Sequence, residues 1–406
     1  MKYNLIDLFA GCGGLLDGFM QTNKFDPIAS VEWEKDPLDN LKNRLKTKWN
    51  IDNLDEKCIL MDIQETEKLF SGWKEEKKYG AHLGLDRLVN KFQNKVDIII
   101  GGPPCQAYSI AGRARDEKNM KEDYRNFLFE SYLKVVQRYK PKIFIFENVP
   151  GILSAKPGDK KVTELIYEEI EKIGFHISSD LKKFALLDLS EYGVPQIRKR
   201  VIILGLNKDY FKNPEEAIRY FYKEILNKYK EKNKKNLLEA IGDLDKLYPL
   251  EKENNKKSHT EGKGKIKNHS PRYHNKRDIE IFRELAQDIE QGINKYTTAE
   301  AMNKLYYERT GKTTNVHRYH VLKYDEPSTT IIAHLHKDGW RFIHPDSTQA
   351  RSITVREAAR LQSFDDDFEF ISSQGANYKM IGNAVPPKFS FKLAEAIYEF
   401  LNIYKL

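Results

Sequence analysis

Two residues in this 406-residue chain have the type and position for covalent chemistry on a ring. Cys105 stands in Gly101-Gly102-Pro103-Pro104-Cys105-Gln106, directly after an apolar run, and Glu147 opens Glu147-Asn148-Val149 after another. Ligands of open α/β sheets bind outside the carboxyl ends of the strands, so both groups are expected at one edge. An unperturbed thiol with a pKa of ~8.5 is only about 3% thiolate at pH 7, so a nucleophilic cysteine needs a lowered pKa or proton removal during attack. A carboxyl group at a neighbouring strand end can protonate or hydrogen-bond a ring nitrogen while the thiol adds to the ring. A cysteine taken alone is more often a buried structural thiol. The paired acid argues against that for Cys105, while Cys12 and Cys58 keep the structural reading.

A second constellation reads Asp7-Leu8-Phe9-Ala10-Gly11-Cys12-Gly13-Gly14, a glycine turn between a strand and the amphipathic run that follows. Such glycines let the backbone approach a ligand closely. Glu32-Trp33 follows about twenty residues later, where an acid in such folds binds a ribose diol and an aromatic can stack on adenine. Spacing alone leaves open a dinucleotide or S-adenosylmethionine. The missing full G-x-G-x-x-G pattern weakens the nicotinamide reading.

Strand and helix patterns alternate up to residue 206, as a mainly parallel sheet wound with helices requires. Strands are expected at 3–9, 27–32, 59–63, 96–100, 143–147, 184–187 and 200–206. Helical spacing is clearest through Phe127, Leu128, Ser131, Val135 and Tyr139, and through Val162, Leu165, Ile166, Ile170 and Ile173. Helices return near 356–364 and after Pro386-Pro387. The fold class is therefore α/β, a doubly wound, mostly parallel sheet with a second, smaller domain placed between two parts of one catalytic unit.

The formal net charge of +8 is local: residues 206–349 carry 28 Lys and Arg against 22 Asp and Glu, and eight of the ten histidines. An acidic partner is expected there, and phosphate contacts would make binding salt-dependent. Residues 251–277 are almost free of apolar side chains and are expected to form a mobile loop. Three cysteines make no disulfide framework and no Cys-x-x-Cys zinc pair, so a reducing, cytoplasmic setting is expected. Neither a signal sequence nor a spanning run is evident, and no membrane association is expected. The histidines at 317, 320, 334, 336 and 344 fit no standard metal spacing; they are expected to face solvent or phosphate, with no metal bound.

The segments DLFAGCGG, GGPPCQ, ENV, QIRKR at 196–200, RSITVREAARLQSF at 351–364 and GNAVPP at 382–387, in that order, resemble the DNA (cytosine-5) methyltransferase family, in particular the bacterial restriction-modification type. The resemblance spans Asp7 to Pro387. It implies the S-adenosylmethionine-dependent, Rossmann-like fold, with residues 1–206 and 346–406 forming the catalytic domain and 207–345 the target-recognition domain. It places Phe9, Gly11 and Gly13 around S-adenosyl-L-methionine, Glu32 on its ribose, Trp33 against its adenine, and Asp62 and Ile63 nearby, although Met61 stands where the family usually has glycine. Leu128, Asn383 and Val385 match further cofactor contacts. Cys105 matches the nucleophile, Glu147 the group bonding cytosine N3, and Arg200 a group bonding cytosine O2, with Arg198 beside it.

The implied reaction is methyl transfer to C5 of a flipped cytosine in double-stranded DNA through a covalent bond from Cys105 to C6. Residues 106–124 are the expected closing loop, with Gly112 as hinge, Lys118 and Lys121 on phosphates, and Gln106, Ser109, Arg113 and Arg115 as DNA contacts. Thr330, within Ser328-Thr329-Thr330-Ile331, is a further expected DNA contact. The alternative is a tRNA methyltransferase of the same fold, but that branch carries another cysteine element and no cysteine follows Cys105 here. An inactive DNA-binding relative and a nicotinamide-dependent oxidoreductase are further alternatives. The family also implies a restriction endonuclease of the same specificity as functional partner; a monomer is expected.

Overall fold

The computed structural model describes residues 2–93, 95–103, 128–156, 160–254, 257–264, 266–313, 319–337 and 339–406. The chain divides into two compact units, one of Met1–Tyr192, Arg198–Lys232 and Val385–Leu406, the other of Gly193–Ile197 and Asn233–Ala384. These limits differ from divisions at 206 and 345: residues 207–232 pack with the first unit and 346–384 with the second.

The first unit holds β1 (Tyr3–Leu8), β2 (Phe25–Glu32), β3 (Cys58–Leu60), β4 (Trp73–Glu76), β5 (Gly80–His82), β6 (Ile98–Gly101), β7 (Ile143–Asn148), β8 (Phe175–His176), β9 (Leu186–Asp188) and β10 (Lys199–Asn207). The main sheet runs β3-β2-β1-β6-β7-β10-β8, with β9 also on β10. Its first five strands are parallel, whereas β10 is antiparallel to β7, β8 and β9. Central strands such as Ile98-Ile99-Ile100 are buried throughout, as parallel strands covered on both faces must be. The strand order reverses between β1 and β6, so the turns after these two strands flank the crevice in which such sheets bind ligands.

Differences from the expected elements have local causes. The 27–32 strand begins earlier, at Phe25, because Phe25 and Asp26 already pair with Tyr3 and Asn4; Pro27, which has no N–H, sits at a register shift between β1 and β2. Residues 184–187 are not one strand: a helical turn, Leu181–Phe184, capped by Asp180, precedes β9. The expected helices are present as Leu128–Tyr139 and Val162–Lys172, burying Tyr132, Val135 and Val136 in the first and Val162, Ile166 and Ile170 in the second. The last helix, Pro387–Ile403, has proline at its first turn and packs on Gly14–Gln21.

The second unit has a core of Ile281, Phe282, Leu285, Leu305, Val321 and Ile343, with Lys276–Glu290 and Ala299–Thr310 as its longer helices. Residues 251–277 are not the unstructured loop their composition suggested. They supply most of the hairpin of Pro249–Asn254 and Lys257–His259, and they bury His259, His269 and His274. Polar groups do here what apolar ones usually do. His259 Nε2 bonds the Gln349 carbonyl at 2.9 Å, and His274 Nε2 accepts the Ser352 amide at 3.2 Å. His344, expected at the surface, is 3% exposed and its Nδ1 accepts the Asp346 amide at 3.1 Å.

Burial holds these imidazoles neutral, pushing His259 down to about 4 and His274 and His344 down to about 3. The unfolded chain binds these protons near pH 6.5, before the folded chain does. Stability is therefore full above about pH 6.5 and falls as the pH drops towards 4, by about 1.4 kcal/mol per histidine per pH unit. Calorimetry should show the melting temperature falling between pH 7 and pH 5, with a shallower fall in His344→Asn; a flat profile would contradict this.

Candidate active site

Strand register brings the first candidate residues into one row. Val31, Leu8, Gly101 and Phe146 are paired across β2, β1, β6 and β7. The next residue of each strand is Glu32, Phe9, Gly102 and Glu147, so all four emerge at one level of one edge. Antiparallel β10 contributes from the other direction, with Ile202 opposite Glu147 and Arg200 two residues before it.

On the β1–β2 side, the Glu32 side chain organises the turn. Its Oε2 accepts the Gly11 amide at 2.8 Å, and its Oε1 accepts the amides of Trp33 at 2.9 Å and Glu34 at 2.8 Å. Burial raises its pKa, and the three amides oppose that rise. Gly11 and Gly13 have φ of 56° and 89°, left-handed values that suit glycine. A Cβ on Gly11 would meet nothing within 4 Å, so that backbone borders open space. Phe9 is strained at φ 57°, which is uncommon for a bulky residue and typical of ligand sites. Trp33 is 41% exposed, with the Lys78 ammonium 5.6 Å from the centre of its ring. Asp62 is partly exposed, and its Oδ1 accepts the Gln64 amide at 3.0 Å. Ile63, Leu128 and Val385 are buried. An acidic diol acceptor, an exposed indole and an unobstructed glycine backbone fit the ribose, adenine and amino-acid parts of S-adenosylmethionine.

On the β6–β7 side, Arg200 Nε pairs with Glu147 Oε1 at 2.9 Å, both side chains being 13% exposed. Glu147 Oε2 lies 2.7 Å from where a Cβ on Gly102 would stand, so residue 102 must lack a side chain for the carboxylate to hold this position. Asn148 donates from Nδ2 to the Pro103 carbonyl at 3.3 Å and accepts the Val149 amide at 2.8 Å. One strand end thus carries the acid and grips the segment leading to Cys105. Arg198 is enclosed, 1% exposed, and burial pushes its pKa well below the usual range, with Arg200 adding to the shift.

Cys105, Gln106, Ser109, Arg113, Arg115 and the rest of the expected closing loop lie outside the described residues, as does His317. Asn383 is exposed at the end of the Gln374–Asn383 helix in the second unit. Thr330 is also in that unit, and its hydroxyl donates to the Ile197 carbonyl at 2.5 Å, an internal bond that no spacing rule foretold. Sequence reasoning missed Asp7, Asn148 and Gln196. Asp7 is 1% exposed, burial raises its pKa well above the usual carboxylate range, and neither carboxyl oxygen has a hydrogen-bond partner among the described residues. The signal available for Asn148 was its place beside Glu147.

The sheet order and the row of residues define the class, the doubly wound fold of S-adenosylmethionine-dependent methyltransferases. The model of the C-5 cytosine-specific DNA methylases matches residues 3–399. The type II methyltransferase M.Bpa9945I of Bacillus paralicheniformis is 33% identical over 460 aligned residues, covering 98% of this chain and 99% of that protein. M.DdeI of Desulfomicrobium norvegicum is 30% identical, covering 97% and 88%. In fold the chain is similar to a DNA modification methyltransferase encoded in an E. coli prophage, with a TM-score of 0.61 at 22% identity and 99% of this chain covered. The chain belongs to the C-5 cytosine-specific DNA methylase family and is a DNA cytosine-5 methyltransferase. No helix among the described residues is long and apolar enough to cross a membrane.

The Gly102 contact leads to a testable expectation. Gly102→Ala must move either Glu147 or the chain before Cys105, and a displacement near 1 Å costs up to about 100-fold in rate. The expected result is a large fall in kcat with cofactor affinity unchanged, measured by tritiated methyl transfer and calorimetry; an unaltered kcat would disprove it.

Proposed function

We propose that this protein transfers a methyl group from S-adenosylmethionine to C5 of a cytosine flipped out of a specific duplex DNA word, through a bond between Cys105 and C6. The observation that carries this reading is the Glu147–Arg200 pair, level with Gly102 and two strands from the Glu32-centred turn. The relatives, named as type II methyltransferases, support a role as modification enzyme beside a restriction endonuclease of the same specificity. The six family motifs in order, with no cysteine after Cys105 to supply the tRNA branch's additional element, favour DNA over tRNA as acceptor.

The chain's own groups divide the work. Glu32 uses its remaining lone pairs for the ribose hydroxyls, and Trp33 packs on adenine. When bound, S-adenosylmethionine supplies an electrophilic methyl group at the β1–β6 crevice. Cytosine C5 is too weak a nucleophile until the Cys105 thiolate adds to C6 and pushes electrons towards it. Glu147 holds a proton at cytosine N3, which stabilises the negative charge that attack creates. Arg200 fixes Glu147 through Oε1 and leaves Oε2 for the ring, while its guanidinium approaches cytosine O2. Loss of the C5 proton and expulsion of Cys105 restore the aromatic ring. A stacked base cannot reach these groups, so flipping precedes attack at a cost of a few kcal/mol.

The test uses tritiated S-adenosylmethionine with duplex DNA and with tRNA. Cys105→Ser is expected to abolish methylation of DNA and Glu147→Gln to lower kcat by about 10²–10⁴-fold, with a covalent adduct formed on 5-fluorocytosine DNA by the parent protein alone. Full activity in Cys105→Ser would overturn the mechanism, and preference for tRNA would overturn the substrate.

A further inference from the structure

Two buried glutamines form a relay that the reaction chemistry does not use. Gln196 and Gln362 are both fully buried in the second unit. Gln196 Nε2 donates to the Leu361 carbonyl and to Gln362 Oε1, each at 2.7 Å, while its Oε1 accepts the Ile331 amide at 3.0 Å. Gln362 Nε2 donates to the carbonyls of Ile381 at 2.6 Å and Ala384 at 3.3 Å. Both hydrogens of each amide are used, and reversing either group would set oxygen against carbonyl oxygen, so the orientation is fixed. Buried polar networks satisfied in this way favour one arrangement over its neighbours, because an unmade bond in such a place is costly.

What the relay holds is specific. Residues 328–331 lie along residues 195–197: the Ser328 amide donates to Pro195 at 3.0 Å, the Ile197 amide to Ser328 at 2.8 Å, and the Thr330 hydroxyl to Ile197 at 2.5 Å. Gln196 is the side chain that closes this strip, through Ile331. In sequence it stands immediately before the segment bearing Arg198 and Arg200. A slip of one residue in an extended strip turns every side chain to the opposite face. Register along 328–331 therefore decides whether Thr329 or Thr330 is presented outward.

We propose that Gln196, held by Gln362, is a positioning residue for DNA recognition that sets the register of residues 328–331; this rests on the reading that those residues face DNA. Thr330 then serves recognition through its placement, because its hydroxyl proton is committed to Ile197. The relay acts on DNA and leaves the cofactor turn alone, since every partner of both amides lies in the second unit.

The experiment compares the parent with Gln196→Met, Gln362→Met and Thr330→Val, using unmethylated plasmid DNA, bisulfite sequencing of the product and calorimetry with S-adenosylhomocysteine. Gln196→Met is expected to lower kcat/KM for DNA roughly tenfold or more, mainly through KM. It should also move part of the methylation to words one base pair removed, with affinity for S-adenosylhomocysteine unchanged. Gln362→Met and Thr330→Val should act in the same direction, less strongly. A lower melting temperature with unaltered DNA kinetics and an unaltered word would overturn the proposal and assign the relay to stability. An equal loss of S-adenosylhomocysteine affinity would overturn it too. Should Gln196→Met not fold, Thr330→Val decides alone, an unchanged KM and word again overturning the proposal. Failure of the parent to methylate DNA would instead refute the proposed function.

Discussion

The first unit depends on one carboxylate. Glu32 ends β2 and gathers the amide of Gly11 from the turn after β1 together with the two amides that follow it in its own chain. A buried carboxylate without donors is severely destabilising, and three charge-assisted hydrogen bonds offset that cost. The same bonds tie the shape of the turn, in which Gly11 directs its amide to Glu32 with its chain in a left-handed conformation. Glu32 is thus a structural centre that still has acceptor capacity left over. The nearby Asp7 is buried, and burial, with the charge of Glu32 adding to it, raises its pKa well above the usual carboxylate range.

In the second unit charged side chains are spent inward. Arg351 and Glu357 pair at 2.7 Å with both side chains 1% exposed, and Glu357 also completes the capping box of the Val355–Leu361 helix with Thr354. Arg356 donates to the carbonyls of Lys267, Asp365 and Phe368. The segment REAARLQ, which looks like a surface helix by composition, is therefore a polar core around which loops are fixed. Breaking one such partner strands a buried charge, which is far costlier than losing a surface pair. This explains how a unit poor in apolar residues between 251 and 277 still folds compactly there.

The legibility of the sequence follows the range of the forces involved. Local rules located most strands, the glycine turn after β1 and the strand end at Glu147, because apolar runs and turn residues act over a few neighbours. The same rules misread 184–187, where Asp180 capping a helical turn outweighed the apolar pattern, and missed the hairpin of β4 and β5, whose alternation of Trp73, Lys74, Glu75 and Glu76 is too polar to stand out. Composition misjudged 251–277, because it counts histidine as polar and cannot see that burial keeps the ring neutral. Of the candidate site, the sheet edge was legible, and the common level of Glu32, Phe9, Gly102 and Glu147 was not. That row is a product of interstrand register, which no single segment encodes.

Register also sets the reach of the site. Glu32 and Glu147 stand on strands three apart, and with neighbouring strands about 4.8 Å from one another their separation along the sheet edge is on the order of 14 Å. The two acids therefore stand at opposite ends of a span fixed by backbone hydrogen bonds, with the β1–β6 crevice between them. Loops can alter how tightly each end is held, yet they cannot bring the ends together. This is why Gly102 matters more than its size suggests: it occupies the one position in the row where a side chain would intrude on the acid. The distance between the two acids is thus a property of the sheet, set by backbone pairing rather than by the turns that carry them.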